Sequence, residues 1–142
     1  MHLFLLSLVL VSSTQSPTEV PKSIRGTWVP VKWELAGSTT PPKTMPKMTL
    51  TIWRDHYEFV EGPSVDAGQL KIIAETKPAA IDITGVKGPN SGRKIPAIYK
   101  LSEDKLTICY GLDGHRPKEF QSPKKSLVLL VTFSRKTGEP GK

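Results

Sequence analysis

The feature of this sequence that most limits its fold is a succession of short alternating runs separated by turn-forming residues. In residues 48–53, for example, Met48, Leu50 and Ile52 alternate with two threonines and a tryptophan, which is the period-two pattern of a half-buried β-strand. Thirteen prolines and eleven glycines interrupt the 142 residues, and helix interiors exclude both residue types. The pattern predicts an all-β protein with eight strands, at residues 25–35, 48–53, 56–60, 66–74, 79–84, 95–101, 105–112 and 126–135.

The connections between these predicted strands favour an antiparallel, up-and-down arrangement. Most are of hairpin length, such as residues 54–55 and 102–104, whereas parallel neighbours would need crossovers of roughly a dozen residues or more. Eight such strands can close into a barrel, which removes the exposed sheet edges and leaves room for side chains or one small ligand. We therefore expect an eight-stranded antiparallel up-and-down barrel, with an open sandwich as the alternative.

The first residues predict a secretory signal peptide at residues 1–16. An apolar run at residues 3–11 is followed by small polar residues and Pro17, which matches the hydrophobic and cleavage regions of such a signal. The run is far shorter than the about 20 residues that span a bilayer. We expect export to the periplasm or the extracellular space and a barrel domain at residues 17–142. Cleavage after Ser13 is as defensible as cleavage after Ser16, and the alternative to a signal is a strand or buried helix.

A Gly-x-Trp motif, formed by Gly26 and Trp28, opens the first predicted strand, and the last predicted strand ends at Arg135. This resembles the lipocalin pattern, in which the first-strand tryptophan closes the base of the barrel and a basic residue of the last strand packs on it. A guanidinium over an indole face is a cation–π contact worth roughly 0.5–2 kcal/mol. The resemblance implies that Gly26, Trp28 and Arg135 close the barrel, and a core tryptophan after a turn glycine is the alternative.

A second resemblance covers nearly the whole predicted mature chain. Its motifs occur in this order: Gly26-Thr27-Trp28, Asp66-Ala67-Gly68, Lys77-Pro78, Ala80-Ile81-Asp82, Gly88-Pro89, Ile98-Tyr99, Leu106 with Cys109, and Arg116-Pro117-x-Glu119-Phe120. Together they are similar to an uncharacterised, lipocalin-like domain family described from planctomycete bacteria, often exported and without assigned activity. The resemblance implies a lipocalin-like barrel and an exported location, and it implies no ligand or catalytic residue.

Residues that commonly carry catalysis or bind metals are sparse. Cys109 is the only cysteine, so it has no internal disulfide partner, and a cysteine on a strand is more often a small buried residue than a reactive thiolate. Outside the predicted signal there are two histidines, His56 and His115, and a catalytic zinc site usually has three protein ligands. The glycine-rich, basic residues 85–94 lack P-loop spacing and a following helix. We expect no enzymatic activity, no metal and no cofactor.

The formal net charge of +7 bears on the choice of partner. Nucleic-acid readers usually carry a basic stripe with interleaved aromatic residues, whereas here the basic residues fall in predicted loops. We expect no nucleic-acid partner and favour attraction to an anionic envelope component, with simple solubility as the alternative. The loop residues concerned are Lys43, Lys47, Lys87, Arg93, Lys94, Lys118, Lys124 and Lys125.

The longest predicted connection, residues 113–125, has two interpretations. In the favoured one, Arg116 pairs with Glu119 while Phe120 anchors the loop to the core, because long loops in compact domains generally need an anchor. In the other, the loop is a lid over the mouth of the barrel and Phe120 is its plug. Asp82, on the outward face of a strand, is expected to be solvated or to pair with a basic neighbour across the sheet.

These observations leave two functions in view. The first is an exported lipocalin-like barrel that binds a small apolar ligand or an envelope partner without chemistry. The second is a structural or interaction module of the cell envelope with a barrel filled by side chains, and a hydrolytic enzyme is least supported. A cavity of roughly 300 Å³ or more would favour a small-molecule site. The candidate ligand-binding residues are Leu50, Ile52, Tyr57, Phe59, Tyr99 and Leu129.

Overall fold

The structure is a computed structural model that describes residues 19–136, so the predicted signal peptide at residues 1–16 lies outside the described residues. Within that range the chain forms one antiparallel sheet and two short 3-10 turns, at Lys22–Ile24 and Pro42–Thr44. The strands are β1 (Gly26–Leu35), β2 (Ser38–Thr40), β3 (Met48–Trp53), β4 (His56–Glu61), β5 (Ser64–Ile73), β6 (Ala80–Lys87), β7 (Lys94–Ser102), β8 (Lys105–Gly111) and β9 (Val128–Arg135).

The sheet closes on itself as an eight-stranded barrel, which confirms the predicted fold and excludes the open sandwich. From β3 to β9 each strand pairs with the next along the chain, β1 pairs with β3, and β9 returns to pair with β1. The closing pair is extensive, from Trp28 opposite Arg135 to Leu35 opposite Leu129. Every strand of the barrel therefore has two hydrogen-bonded neighbours, and the barrel itself has no free edge.

The ninth strand, β2, was not predicted, because residues 38–40 were assigned to a turn and a loop. It pairs with the last three residues of β1 as a hairpin. The two connecting residues, Ala36 and Gly37, both have positive φ, of 51° and 80°, as a type I′ hairpin turn requires. Alanine is not a usual residue for that conformation, so the sequence pattern did not indicate the hairpin.

Strand β1 is irregular next to Pro30. The register of β1 against β9 shifts between Pro30 and Lys32, which leaves Val31 as the extra residue of a β-bulge. Trp28 and Pro30 are buried before the shift. After it, Val31 is exposed, and Trp33 packs against the interior cluster. The bulge thus moves Trp33 to the inner face of the barrel.

Alternate residues of the strands fill two separate apolar regions. The larger one is the barrel interior, where Trp28, Leu106, Val131 and Phe133 are almost fully buried. The smaller one lies on the outer face, where Ala80, Ile98 and Cys109 are buried beneath partly buried side chains that include Phe120. The long connection from β8 to β9 therefore covers part of the outside of the barrel wall.

The up-and-down order places alternate connections at opposite ends of the barrel. At one end, called the Trp28 end below, lie the β3–β4, β5–β6 and β7–β8 turns together with residues 20–26. At the other, called the long-loop end, lie the β1–β3 connection, the β4–β5 turn, the β6–β7 loop and the β8–β9 loop. No helix within residues 19–136 has the length and apolar character needed to cross a membrane.

Candidate ligand-binding cavity

The Trp28 end of the barrel is sealed by side chains whose polar atoms all have partners. Trp28 is fully buried, and its indole N–H donates a hydrogen bond of 2.9 Å to the carbonyl of Ile24. The guanidinium of Arg135 lies over the Trp28 ring, 4.1 Å from the centroid. It also donates to the carbonyls of Arg25 and Ser23, each at 2.8 Å. Within residues 19–136, this end of the barrel is therefore closed by the packing of Arg135 on the buried Trp28.

Gly26 has a clear physical role beside this seal. Its φ is +120°, and a Cβ built on it would lie 2.9 Å from Nη1 of Arg135. A larger residue would therefore be strained in its backbone and would also displace the guanidinium from the indole. The structure thus brings together the three residues of the lipocalin-like motif, Gly26, Trp28 and Arg135.

Above the seal the barrel encloses a cavity of about 140 Å³. All six of the candidate ligand-binding residues lie in its wall. The lining residues are Ile24, Trp33, Leu50, Ile52, Tyr57, Phe59, Asp66, Leu70, Ile81, Ile83, Asn90, Ile95, Tyr99, Leu106, Ile108, Tyr110, Leu112, Leu129, Val131 and Phe133. Most of this wall is apolar, so the cavity suits an apolar occupant.

The exception to this apolar wall is a polar group around Asp66, toward the long-loop end. Asn90 Nδ2 donates to Oδ2 of Asp66 at 2.8 Å, and the Tyr57 hydroxyl lies 3.4 Å from Oδ1. Arg93 donates from Nη1 to the amide oxygen of Asn90 and from Nη2 to the carbonyl of Leu112, each at 3.0 Å. The chain of contacts holds the Asn90 amide in one orientation, with its NH₂ group toward the carboxylate.

Local backbone structure explains how Asn90 reaches the carboxylate from a loop. The β6–β7 loop turns back on the end of β6, with backbone hydrogen bonds of 2.9 Å from Gly85 to Arg93 and from Gly92 to Gly85. A Cβ on Gly85 would lie 1.8 Å from the carbonyl oxygen of Asn90. Only glycine permits this approach, so Gly85 is what brings Asn90 over the barrel wall.

Three tyrosines of the wall keep their hydroxyl protons at neutral pH. Burial raises the pKa of Tyr57, Tyr99 and Tyr110 above the usual value of 10.0. The negative charge of Asp66 raises the pKa of Tyr57 and of Tyr110 further. These side chains therefore contribute neutral hydroxyl groups and aromatic faces to the cavity.

The β8–β9 loop is anchored, as favoured from the sequence, but by a different ion pair and on a different face. Arg116 forms an ion pair with Asp82 and not with Glu119, and it donates to the carbonyls of Ile81 at 3.1 Å and Ala97 at 2.8 Å. The lid interpretation is wrong, because Phe120 packs on the outer apolar region and not in the mouth of the barrel. Phe120 lies there because apolar residues on the outer face of neighbouring strands give it a surface to pack against.

Asp82 lies on the outward face, as predicted, yet it is 7% exposed rather than solvated. Lys94 completes its surroundings, with Nζ 3.4 Å from Oδ2. Burial alone would raise the pKa of Asp82, but the hydrogen bonds and charges of Arg116 and Lys94 outweigh burial and lower it. Asp82 is therefore an ionised anchor for the loop.

The residues considered for catalysis are dispersed. Cys109 is fully buried in the outer region, its Sγ lies 3.5 Å from the carbonyl of Glu119, and burial raises the pKa of its thiol. His56 is in the β3–β4 hairpin at the Trp28 end, and His115 is in the β8–β9 loop at the long-loop end. Across residues 19–136, no three or more His, Cys, Asp and Glu side chains form a group able to hold a metal ion.

Sequence reasoning missed the polar part of the cavity. Asp66 has the same strand parity as Leu70 and Ile72, which are buried in the barrel interior, so the period-two alternation of β5 applied to it as well. Tyr110 likewise has the same strand parity as Leu106 and Ile108 on β8. No comparable signal existed for Asn90, whose position depends on the fold of a loop.

The fold and the cavity define this protein as a closed antiparallel β-barrel with an interior cavity. Comparison with protein-family models, with curated proteins and with solved structures found no match to the chain.

Proposed function

We propose that this protein is an exported, lipocalin-like barrel that binds a small, largely apolar molecule in its interior and carries out no chemistry on it. The observation that carries the proposal is the 140 Å³ cavity with its mainly apolar wall. Such a cavity lowers the free energy of an apolar molecule by removing its surface from water, at roughly 25 cal/mol per Å². The sealed Trp28 end leaves the long-loop end as the side from which a ligand would arrive.

The volume limits the size of that ligand. Drug-sized molecules occupy pockets of about 300–1,000 Å³, so the cavity does not meet the 300 Å³ expected for such a ligand. In other proteins, however, apolar cavities of about 150 Å³ bind benzene or xenon. The ligand we propose is therefore no larger than a single ring with a short substituent.

The second candidate, a structural or interaction module of the cell envelope, draws support from the same volume and from charge. A small cavity is also what an incompletely filled barrel would leave. All eight of the basic residues that the sequence placed in loops lie in or beside the connections of the long-loop end, and all eight are exposed: Lys43, Lys47, Lys87, Arg93, Lys94, Lys118, Lys124 and Lys125. In this alternative the lysines contact an anionic envelope component.

Ligand binding is tested first by native mass spectrometry of the protein purified gently from its exported fraction. A small molecule released on denaturation would support the binding function and identify the ligand class. Toluene titration followed by two-dimensional NMR provides a test with a defined probe. We expect shifts of the methyl groups of Leu50 and Ile108, which line the cavity.

A matched pair of variants sharpens the titration. Ile108→Phe adds a ring inside the cavity, and Val86→Phe adds the same ring at a position that is 63% exposed. Toluene binding should weaken by about tenfold or more in Ile108→Phe, at a stability cost of about 1–3 kcal/mol, and should be unchanged in Val86→Phe. If neither toluene nor any lipophilic compound of a panel binds to the wild-type protein, the filled-barrel module becomes the better account.

A further inference from the structure

We infer that the ligand is a small organic cation, an amine or methylated ammonium on an apolar body, whose charge lies beside the carboxylate of Asp66 and the neighbouring aromatic rings. The inference rests on the proposed function, because it names the chemical class of the molecule in the same cavity. Its first support is the direction of Asp66, which shares the inward parity of Gly68 and Leu70 on β5. Asp66 also forms part of the cavity wall.

The partners of Asp66 satisfy its hydrogen bonds without compensating its charge. Asn90 and Tyr57 are both neutral donors. Among residues 19–136, no lysine, arginine or histidine nitrogen forms a salt bridge with this carboxylate. Asp66 is partly buried, and the two oxygens of a carboxylate together offer about four acceptor positions. A cationic ligand would supply both the missing charge and further hydrogen-bond donors.

Arg93 lies near Asp66 but contacts other groups. Its guanidinium donates hydrogen bonds to the amide oxygen of Asn90 and to the carbonyl of Leu112. The amide of Asn90 therefore lies between the guanidinium of Arg93 and the carboxylate of Asp66. In this position Arg93 orients a neutral donor toward Asp66 and leaves the charge of Asp66 available to the cavity.

The aromatic composition of the wall favours the same class of ligand. Trp33, Phe59 and Tyr110 line the cavity together with Tyr57 and Tyr99, and the Trp33 and Phe59 rings are 6.3 Å apart with a tilt of 40°. A cation within about 6 Å of a ring centroid is attracted by the negative face of the ring, and aromatic cages bind ammonium groups in this way. An anionic ligand would meet both the carboxylate and the negative faces of these rings.

The exposed lysines of the long-loop end repel an approaching cation, but this repulsion is weaker than the attraction by Asp66. They are solvated, and at physiological ionic strength their field is screened over about 8 Å. The interaction with Asp66 takes place inside the wall, where the effective dielectric constant is lower and screening is small. We therefore expect the lysines to slow association at low salt without reversing the preference.

Three probes of similar shape test this inference on the wild-type protein at pH 7. Benzylammonium carries a charge, benzyl alcohol replaces it with a neutral donor, and toluene has neither. Isothermal titration should show benzylammonium binding roughly tenfold or more tighter than benzyl alcohol. If benzyl alcohol or toluene binds as tightly as benzylammonium, the inference is overturned while the proposed function stands. If none of the three binds, the proposed function fails and the inference fails with it.

Two variants make the same carboxylate-to-amide change on the two faces of the wall. Asp66→Asn removes the inward charge, and Glu58→Gln removes a charge on the outward parity of β4, where Glu58 is opposite Ala67 in the register. We expect the preference for benzylammonium over toluene to disappear in Asp66→Asn and to persist in Glu58→Gln, where toluene binding should also be unchanged. Thermal unfolding verifies that each variant is folded, and an equal loss of preference in both would overturn the assignment to Asp66.

Discussion

Two carboxylates on neighbouring strands of the barrel wall, Asp66 on β5 and Asp82 on β6, have opposite surroundings. Asp82 is on the outer face and is enclosed by the β8–β9 loop, with Arg116 and Lys94 as its countercharges. Asp66 is on the inner face, and its recorded partners are the neutral groups of Asn90 and Tyr57. The difference indicates that the outer carboxylate holds the protein's own loop, whereas the inner one has a charge still available to another molecule.

The largest effect should follow from removing the countercharge of Asp82. We expect Arg116→Met to lower the free energy of unfolding by about 2–4 kcal/mol, because a buried charge and two strand carbonyls lose their partner. Urea denaturation measures this change. Lys94→Met is the control, and since the Lys94 side chain is 67% exposed, its cost should stay within about 1 kcal/mol. Equal losses in the two variants would contradict the anchoring role of Arg116.

The next prediction compares the stability change that an Asp-to-Asn substitution causes at each of the two carboxylates. Asp82→Asn should destabilise the protein by about 1–2 kcal/mol, because it removes the charge that Arg116 and Lys94 contact. Asp66→Asn should change the free energy of unfolding by less than about 1 kcal/mol, because Asp66 is partly buried and its hydrogen bonds are to the neutral groups of Asn90 and Tyr57. Equilibrium unfolding of both variants at pH 7 provides the comparison. A destabilisation of similar size at both positions would show that Asp66 has a structural countercharge after all.

The ion pairs of Asp82 should also make the stability of the protein sensitive to acid. Because the folded pKa of Asp82 lies below its ordinary value of 3.8, the folded state binds fewer protons than the unfolded state at this group. The stabilisation is fully present above that ordinary value and is lost as the pH falls through the folded pKa. Between pH 5 and pH 2, wild-type stability should therefore fall more steeply than that of Asp82→Asn. Parallel pH profiles would remove Asp82 as a source of acid sensitivity.

The last prediction concerns access to the outer apolar region and is measured as a labelling rate. Cys109 lies beneath the β8–β9 loop with 0% exposure, so a thiol reagent should label it at least about 100-fold more slowly in the folded protein than in urea. Arg116→Met should increase the labelling rate by loosening the loop, and Asp66→Asn should not. Fast labelling of the folded wild-type protein would show that the loop opens without losing its anchor.

The strands themselves were largely readable from the sequence. The alternation in Met48–Trp53 predicted β3 with its observed bounds, and hairpin-length connections predicted the order of the barrel strands. The start of β9 at Val128 rather than residue 126 shows the usual uncertainty at element ends. The hairpin to β2 was missed because an alanine with positive φ is a conformation that residue preferences do not indicate.

The candidate site was readable only in its apolar half. Leu50, Phe59 and Tyr99 were placed inward by the alternation of their own strands, and each lines the cavity. Asp66 obeyed the same alternation, but as a carboxylate at the predicted start of a strand it was not selected as an interior residue. Its contact with Asn90 spans 24 residues and depends on the close approach that Gly85 permits.

What the sequence determined by itself is therefore the set of properties that depend on neighbours along the chain. These are the period-two alternation, the turns, the closed antiparallel fold and the apolar character of the interior. Tertiary structure alone decided which charges meet, because Arg116 and Asp82 are 34 residues apart and come together only when the β8–β9 loop crosses the outer face. It also decided the cavity volume, since the space left inside a barrel depends on how all its inward side chains pack.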